Sequence, residues 1–170
     1  MDEAPSLVTD RESAVVRDDK LELRVWLRLL TCANLIESRV RAGLREDFAI
    51  TLPRFDLLAQ LDRAPDGLTM GELSDRLMVS NGNITGLVER LAGEDLIARA
   101  PAPGDRRRSR VKITAAGKRA FDAMTPTHER WIDELFAGLG RGEMAELLAL
   151  LAKLKRSIQA SGPTPPKDEP

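Results

Sequence analysis

Residues 68–119 read LTMGELSDRLMVSNGNITGLVERLAGEDLIARAPAPGDRRRSRVKITAAGKR, and the order of patterns within them decides the fold. Gly71 to Leu77 and Asn81 to Ala92 are short helical stretches separated only by Met78-Val79-Ser80, the spacing of a helix-turn-helix. In the second stretch Ile84, Leu87, Val88 and Leu91 fall at i, i+3, i+4 and i+7 and turn inward. Asn81, Asn83, Thr85, Gly86, Glu89 and Arg90 are left outside, a short and hydrogen-bonding face. Asn and Thr reach base edges or phosphates in a major groove, and glycines at 82 and 86 admit a close backbone approach at a cost in helix propensity. An ordinary solvated helix has no use for glycine there. Leu96, Ile97 and Ala98, then Val111, Lys112 and Ile113, are strand candidates on either side of a Pro- and Gly-containing loop at 101–109. Two strands and a tip predict a β-hairpin wing.

Charge singles out the wing. Residues 99–119 hold eight bases (Arg99, Arg106, Arg107, Arg108, Arg110, Lys112, Lys118 and Arg119) against Asp105 alone, a local charge of +7 in a chain whose net charge is −1. Consecutive arginines repel one another, and a merely solvated loop would mix signs. Counterion release from a phosphate backbone and the potential of a narrow minor groove give them a reason to be adjacent. Asp105 can hold one guanidinium in a fixed fork.

Outward from this centre the chain reads as helical. Leu23, Trp26, Leu27, Leu30, Ala33, Val40 and Leu44 predict a long helix from residue 21 to about Asp47. Pro53 suits the first turn of a second helix filled by Phe55, Leu57, Leu58 and Leu61, which ends before Ala64-Pro65-Asp66-Gly67. Thr114 is an N-cap for a helix from Ala115, kinked by Pro126, that carries Phe121, Met124, Trp131, Leu135 and Phe136. After Gly138-Leu139-Gly140, a last helix aligns Met144, Leu147, Leu148, Leu151, Leu154 and Ile158 in a narrow stripe near a coiled-coil seam. The fold expected is mainly α with a small β wing. Residues 53–114 form the winged helix-turn-helix, and 21–52 with 115–160 form a helical dimerisation region. Residues 1–20, with six acids and three bases, and the Pro-rich 161–170 read as tails.

Composition removes other classes. The 170 residues are 42% hydrophobic and 31% charged, with no apolar run of the roughly 20 residues a membrane span needs. The acidic, polar start lacks the pattern of an export signal, so a cytoplasmic protein with no membrane partner is expected. One cysteine, Cys32, and one histidine, His128, cannot assemble a Cys/His zinc cluster, and no cofactor is expected. No glycine-rich phosphate loop, carboxylate pair or nucleophile elbow accompanies Cys32 and His128, and Cys32 falls inside an apolar helix where a thiol is usually inert. An enzyme is not expected.

The stretch quoted first resembles the winged helix-turn-helix of the MarR family of bacterial transcription regulators. The family's wing pattern, Asp-x-Arg followed by Thr-x-x-Gly at the next helix, is matched by Asp105, Arg107, Thr114 and Gly117, and the likeness extends over residues 21–160. Asp95 departs from the usual Gly before the first wing strand, though Asp tolerates a left-handed backbone better than most residues. The resemblance implies a homodimer, joined through its terminal helices, on a pseudo-palindromic double-stranded operator. DNA contacts are then expected from Ser80, Asn81, Asn83, Thr85, Gly86, Arg90, Asp105, Arg106, Arg107, Arg108 and Arg110.

The stretch at residues 21–63 is further similar to a subgroup that represses aromatic-acid catabolism, some members answering to aryl-CoA thioesters. An aromatic acid or its CoA thioester is the implied effector. Trp26, Leu30, Phe55, Leu58 and Trp131 are candidates to line an apolar slot, with His128 to bond a phenol or carboxylate. Arg39, Arg41 and Arg54 are candidates to hold CoA phosphates, against the alternative of i,i+4 pairing with acids such as Glu37. The competing functions are a thiol-redox repressor acting through Cys32, which here lacks the tyrosines usual around such a cysteine, and a winged-helix module that binds only proteins.

Overall fold

The computed structural model describes residues 20–102 and 105–161, leaving aside the side chains of residues 81, 102 and 105–108. Apart from Lys20 and Ser161, both expected tails lie outside the described residues. In chain order the elements are α1 (Leu21–Phe48), α2 (Leu52–Asp62), α3 (Met70–Leu77), α4 (Asn81–Gly93), β1 (Ile97–Ala102), β2 (Asp105–Ile113), α5 (Ala115–Phe136) and α6 (Arg141–Ala160). The fold is mainly helical with one two-stranded sheet, as the patterning predicts. The chain divides into two compact units, Met1–Trp131 and Ile132–Pro170, with the division inside α5.

The core of the first unit lies where the apolar periodicities of α2, α3 and α4 meet the root of the wing. Leu57, Leu58, Leu61, Leu73, Ile84, Val88, Leu91 and Val111 are all but fully buried there. Each such side chain stabilises the fold by about 1.5–3 kcal/mol relative to exposure. Pro53 sits in the first turn of α2 as expected, and α1 ends where Ala49 turns left-handed at φ 51°. Only Val40 and Leu44 of α1 are buried, both near its C-terminal end. Leu21, Leu23, Val25, Trp26 and Leu30 stay exposed in the single chain.

Helix α3 begins one residue earlier than Gly71, because Thr69 and Glu72 form a capping box. The Thr69 N–H donates to Glu72 Oε2 at 2.7 Å, and the Glu72 N–H donates to Thr69 Oγ1 at 3.2 Å. Two donors that the first helical turn leaves unsatisfied are thereby paired. Just before it, Leu68 exchanges both backbone hydrogen bonds with Val111, at 2.9 and 2.7 Å, so the wing has a short third partner. Gly67 makes the approach possible, since its φ is 78° and a Cβ would stand 2.6 Å from the Val111 carbonyl oxygen.

The hairpin is longer than expected. β1 and β2 pair from Ile97↔Ile113 through Pro101↔Ser109 to Ala102↔Asp105, with a register shift after Pro101, so much of the expected loop at 101–109 is strand. Proline argues against a central strand, but in a two-stranded ribbon its missing N–H can face solvent. Leu96, expected to begin the strand, instead closes the turn after α4 by donating to Leu91 O at 3.0 Å.

That turn fastens α4, the wing and α5 together. Asp95 has φ 57°, the left-handed conformation its chemistry tolerates. Its carbonyl accepts a 2.6 Å hydrogen bond from Thr114 Oγ1, while the Thr114 N–H donates to Leu96 O at 3.0 Å. The same Thr114 hydroxyl accepts from the Gly117 N–H at 3.0 Å, which is its capping role. A Cβ on Gly117 would lie 1.9 Å from the Leu96 carbonyl oxygen, so only glycine lets α5 start this close to the turn. From there α5 continues without interruption through Pro126. Lys118, one residue on, pairs with Asp122 and, at 3.1 Å, with Asp62 at the end of α2.

In the second unit α6 opens at Gly140, whose N–H donates to Glu143 at 2.7 Å. Glycine has no side chain to return the bond, so this is half of a capping box. No α6 residue is buried, and Met144, Leu148, Leu151, Leu154 and Ile158 are exposed along it. Among the described residues, no helix is long and apolar enough to cross a membrane.

Candidate nucleic-acid interface

Helix α4 presents the two faces its spacing predicts. Ile84, Leu87, Val88 and Leu91 are buried, while Gly82, Asn83, Thr85, Glu89 and Arg90 are exposed. Ser80 is the N-cap residue, exposed, and its side chain makes no capping hydrogen bond, so the hydroxyl is not consumed within the helix. The Asn81 side chain lies outside the described residues. A Cβ on Gly82 would meet nothing within 4 Å, and one on Gly86 would meet only the Arg90 guanidinium, at 3.8 and 3.9 Å. Among the described residues, packing requires neither glycine. Arg90 folds back over Gly86 toward the helix N-terminus, the direction side chains take on a helix.

The turn before α4 carries a residue that sequence reasoning passed over. Met78 is 92% exposed and has φ 53°, a left-handed position usually given to glycine or asparagine. Around it the Val79 N–H donates to Ser74 O at 3.2 Å, and Ser74 Oγ donates to Val79 O at 2.5 Å. Ordinary β-propensity or periodicity gives no signal for such a position.

In the wing, the side chains of Asp105, Arg106, Arg107 and Arg108 lie outside the described residues, and with them the expected fork between Asp105 and an arginine. Arg99 is exposed. Arg110 is drawn into the protein: its Nη2 donates to both carboxylate oxygens of Glu72, at 3.1 and 3.2 Å. The Glu72 carboxyl is held down at about 2 from an ordinary 4.5, chiefly by the Thr69 backbone N–H, then by the Thr69 hydroxyl, with Arg110 adding to both. The Thr69-x-x-Glu72 spacing before an apolar residue is a signal that could have marked Glu72 as a cap, but nothing local points from it to a residue 38 positions away.

The residues expected to bind an effector separate into two groups. Phe55, His128 and Trp131 come together: Phe55 and His128 stack at 4.7 Å, His128 and Trp131 meet edge-on at 6.5 Å, and Phe121 and Phe48 flank them. Burial pushes the His128 imidazole below its ordinary 6.5, with Glu129 opposing, so it is neutral at pH 7. Trp131 lies against α1 at Gly43, where a Cβ would come within 2.7 Å of the indole. Trp26 precedes Gly43 by seventeen residues on the same continuous helix, about 25 Å at 1.5 Å per residue, and Leu30 by about 20 Å. The single slot expected from Trp26, Leu30, Phe55, Leu58 and Trp131 is therefore not assembled within one chain. Helical spacing placed these residues on one face without fixing where on the helix the partner would land. Leu58 is fully buried core.

The three arginines also part company. Arg41 pairs with Glu37, the i,i+4 alternative, and Arg54 pairs with Glu94 at the end of α4, while Arg39 is exposed. Cys32, expected in apolar surroundings, is exposed, as are Leu30 and Leu35 on either side of it.

Residues 50–108 match the sequence profile of the MarR family. The chain is 38% identical over 107 residues to the HTH-type transcriptional repressor NicR of Pseudomonas putida, covering 62% of this chain and 66% of that protein. It is 29% identical over 144 residues to the transcriptional activatory protein BadR of Rhodopseudomonas palustris, 81% of each. A MarR family transcriptional regulator from Silicibacter pomeroyi superposes with a TM-score of 0.70 at 33% identity, covering 82% of this chain and 96% of that one.

Proposed function

The chain belongs to the MarR family of DNA-binding transcription regulators, which are not enzymes, and we propose that it is a homodimeric repressor of aromatic-compound catabolic genes, released by an aromatic acid. The observation that carries the DNA half is the pairing of a polar α4 face, with two glycines that packing does not require among the described residues, and a hairpin (residues 97–113) charged +5 immediately after it. Two such units, related by a twofold axis, enter successive major grooves, so the operator is a pseudo-palindrome with half-sites about one helical turn apart. A second copy is the natural cover for the α6 stripe and for exposed Trp26 and Leu30 of α1, since contiguous apolar surface of this kind marks an interaction site.

The effector reading rests on the Phe55–His128–Trp131 cluster, where neutral His128 has one N–H to donate to a carboxylate or phenol. Two of the three arginines assigned to CoA phosphates are already neutralised by Glu37 and Glu94, which favours the free acid over the thioester. An acid that binds the free dimer better than the DNA-bound one dissociates the complex by linkage alone. The name of NicR supports repression, and that of BadR supports activation. The test is a thermal-shift and DNA-release series with aromatic acids, their CoA thioesters and CoA alone. An acid that raises the melting temperature and releases DNA supports the reading, and silence from all three classes refutes the aromatic effector while leaving DNA binding in place.

A further inference from the structure

We infer that Glu72 and Arg110 form a clamp that positions the wing for DNA, and that Arg110 is not itself a phosphate contact. The inference rests on the wing being applied to DNA, and it revises the role that its charge alone suggests for Arg110. Three observations meet here. Leu68 pairs with Val111 through two backbone hydrogen bonds, and the next residue on one side is Thr69, the cap of α3, while the next on the other is Arg110. Glu72 occupies both places at once: Oε2 accepts the Thr69 N–H at 2.7 Å, and both oxygens accept Arg110 Nη2. Among the described residues Arg110 Nε is buried without a partner, a desolvation cost that an arginine serving solvent or phosphate would avoid.

Mechanically, Arg110 lies between the Leu68–Val111 anchor and the arginine-rich tip. The Asp95–Thr114 turn ties the base of the ribbon to α4 and α5 and Leu68–Val111 ties it to the start of α3, and a fastening one residue farther out fixes the angle of the ribbon beyond that base relative to α3. Because α3 and α4 share the helix-turn-helix, that angle sets where the tip arginines fall once α4 is in its groove. Misplacement by about an ångström would forfeit minor-groove contacts without touching the major-groove ones.

Two readings of Arg110 predict opposite results for Glu72→Gln. Glutamine retains the capping box through its side-chain carbonyl and gives up the charge that holds Arg110. If Arg110 positions the wing, E72Q weakens binding to a duplex selected from random-sequence DNA by the full chain, roughly three- to tenfold. Arg110→Gln then does the same, and the double variant is no worse than either single one. Hydroxyl-radical protection is lost in the minor groove flanking each half-site, and amide exchange across β1 and β2 quickens in the free protein, with the melting temperature held within a few degrees. If instead Glu72 merely masks a phosphate-binding arginine, E72Q tightens DNA binding and steepens its salt dependence, which overturns the clamp. Unchanged exchange in the wing of both variants also overturns it. The exchange arm needs no DNA, so a chain that selected no duplex would refute the DNA reading while the clamp was judged on its own.

Discussion

Replacing Gly86 with alanine should make the protein more stable and a poorer DNA binder. Glycine in a helix interior costs roughly 0.8–1 kcal/mol relative to alanine, and no packing contact among the described residues repays it at this position. The Cβ to be added would find the Arg90 guanidinium no nearer than 3.8 Å, an ordinary contact with the end of a flexible side chain. The free protein should therefore gain most of that propensity, about 0.5–1 kcal/mol, or a rise of roughly 1–4 °C in melting temperature. On DNA the same methyl group projects from the face that is to enter the groove. It must push the helix outward or displace Arg90, and a loss of about 1.4 kcal/mol would appear as a tenfold weaker complex. Calorimetric melting and fluorescence anisotropy on one selected duplex measure the two effects side by side. A stabilised variant with undiminished affinity would show that the α4 face does not approach DNA closely, and a destabilised one would show that Gly86 serves packing after all.

Other perturbations follow from the same contacts. Asp56 is pushed up from 3.8 to about 6, first by burial and then by Glu37. The native state thus binds the extra proton between about pH 4 and pH 6, stability falls as pH rises through that window, and Asp56→Asn should gain roughly 1–3 kcal/mol at pH 7 and nothing below about pH 4, read by denaturant melts across pH. Gly117→Ala drives a Cβ to 1.9 Å from the Leu96 carbonyl and should cost about 3 kcal/mol or more in the same melts, since backbone on both sides must yield. Leu151→Asp places a charge in the α6 stripe and should shift sedimentation from twice 18.8 kDa toward the single chain, with DNA affinity lost in parallel.

Where a structural fact is local, the sequence carried it. The inward face of α4, the proline start of α2, the left-handed Asp95 and the Thr114 cap all follow from residues within a turn or two of one another. What stayed hidden depends on distant partners. Arg54 and Glu94 are 40 positions apart and Arg110 and Glu72 are 38, and either arginine reads simply as a positive charge until its carboxylate is in place. The strand extension through Pro101 needed β2 opposite it, and the split between Trp26 and Trp131 needed the landing point at Gly43. The candidate DNA face was legible because it is one helix and one charged segment. The effector region was not, because its aromatic residues come from α1, α2 and α5.

Selection from random-sequence DNA with the full chain, followed by footprinting and by the stoichiometry of the selected complex, tests the central claim most directly. The account predicts one enriched pseudo-palindrome, half-sites about one helical turn apart, two chains per duplex, major-groove protection in each half-site and minor-groove protection beside it. Enrichment of no sequence over non-specific DNA, or a single chain bound to an asymmetric site, would contradict it.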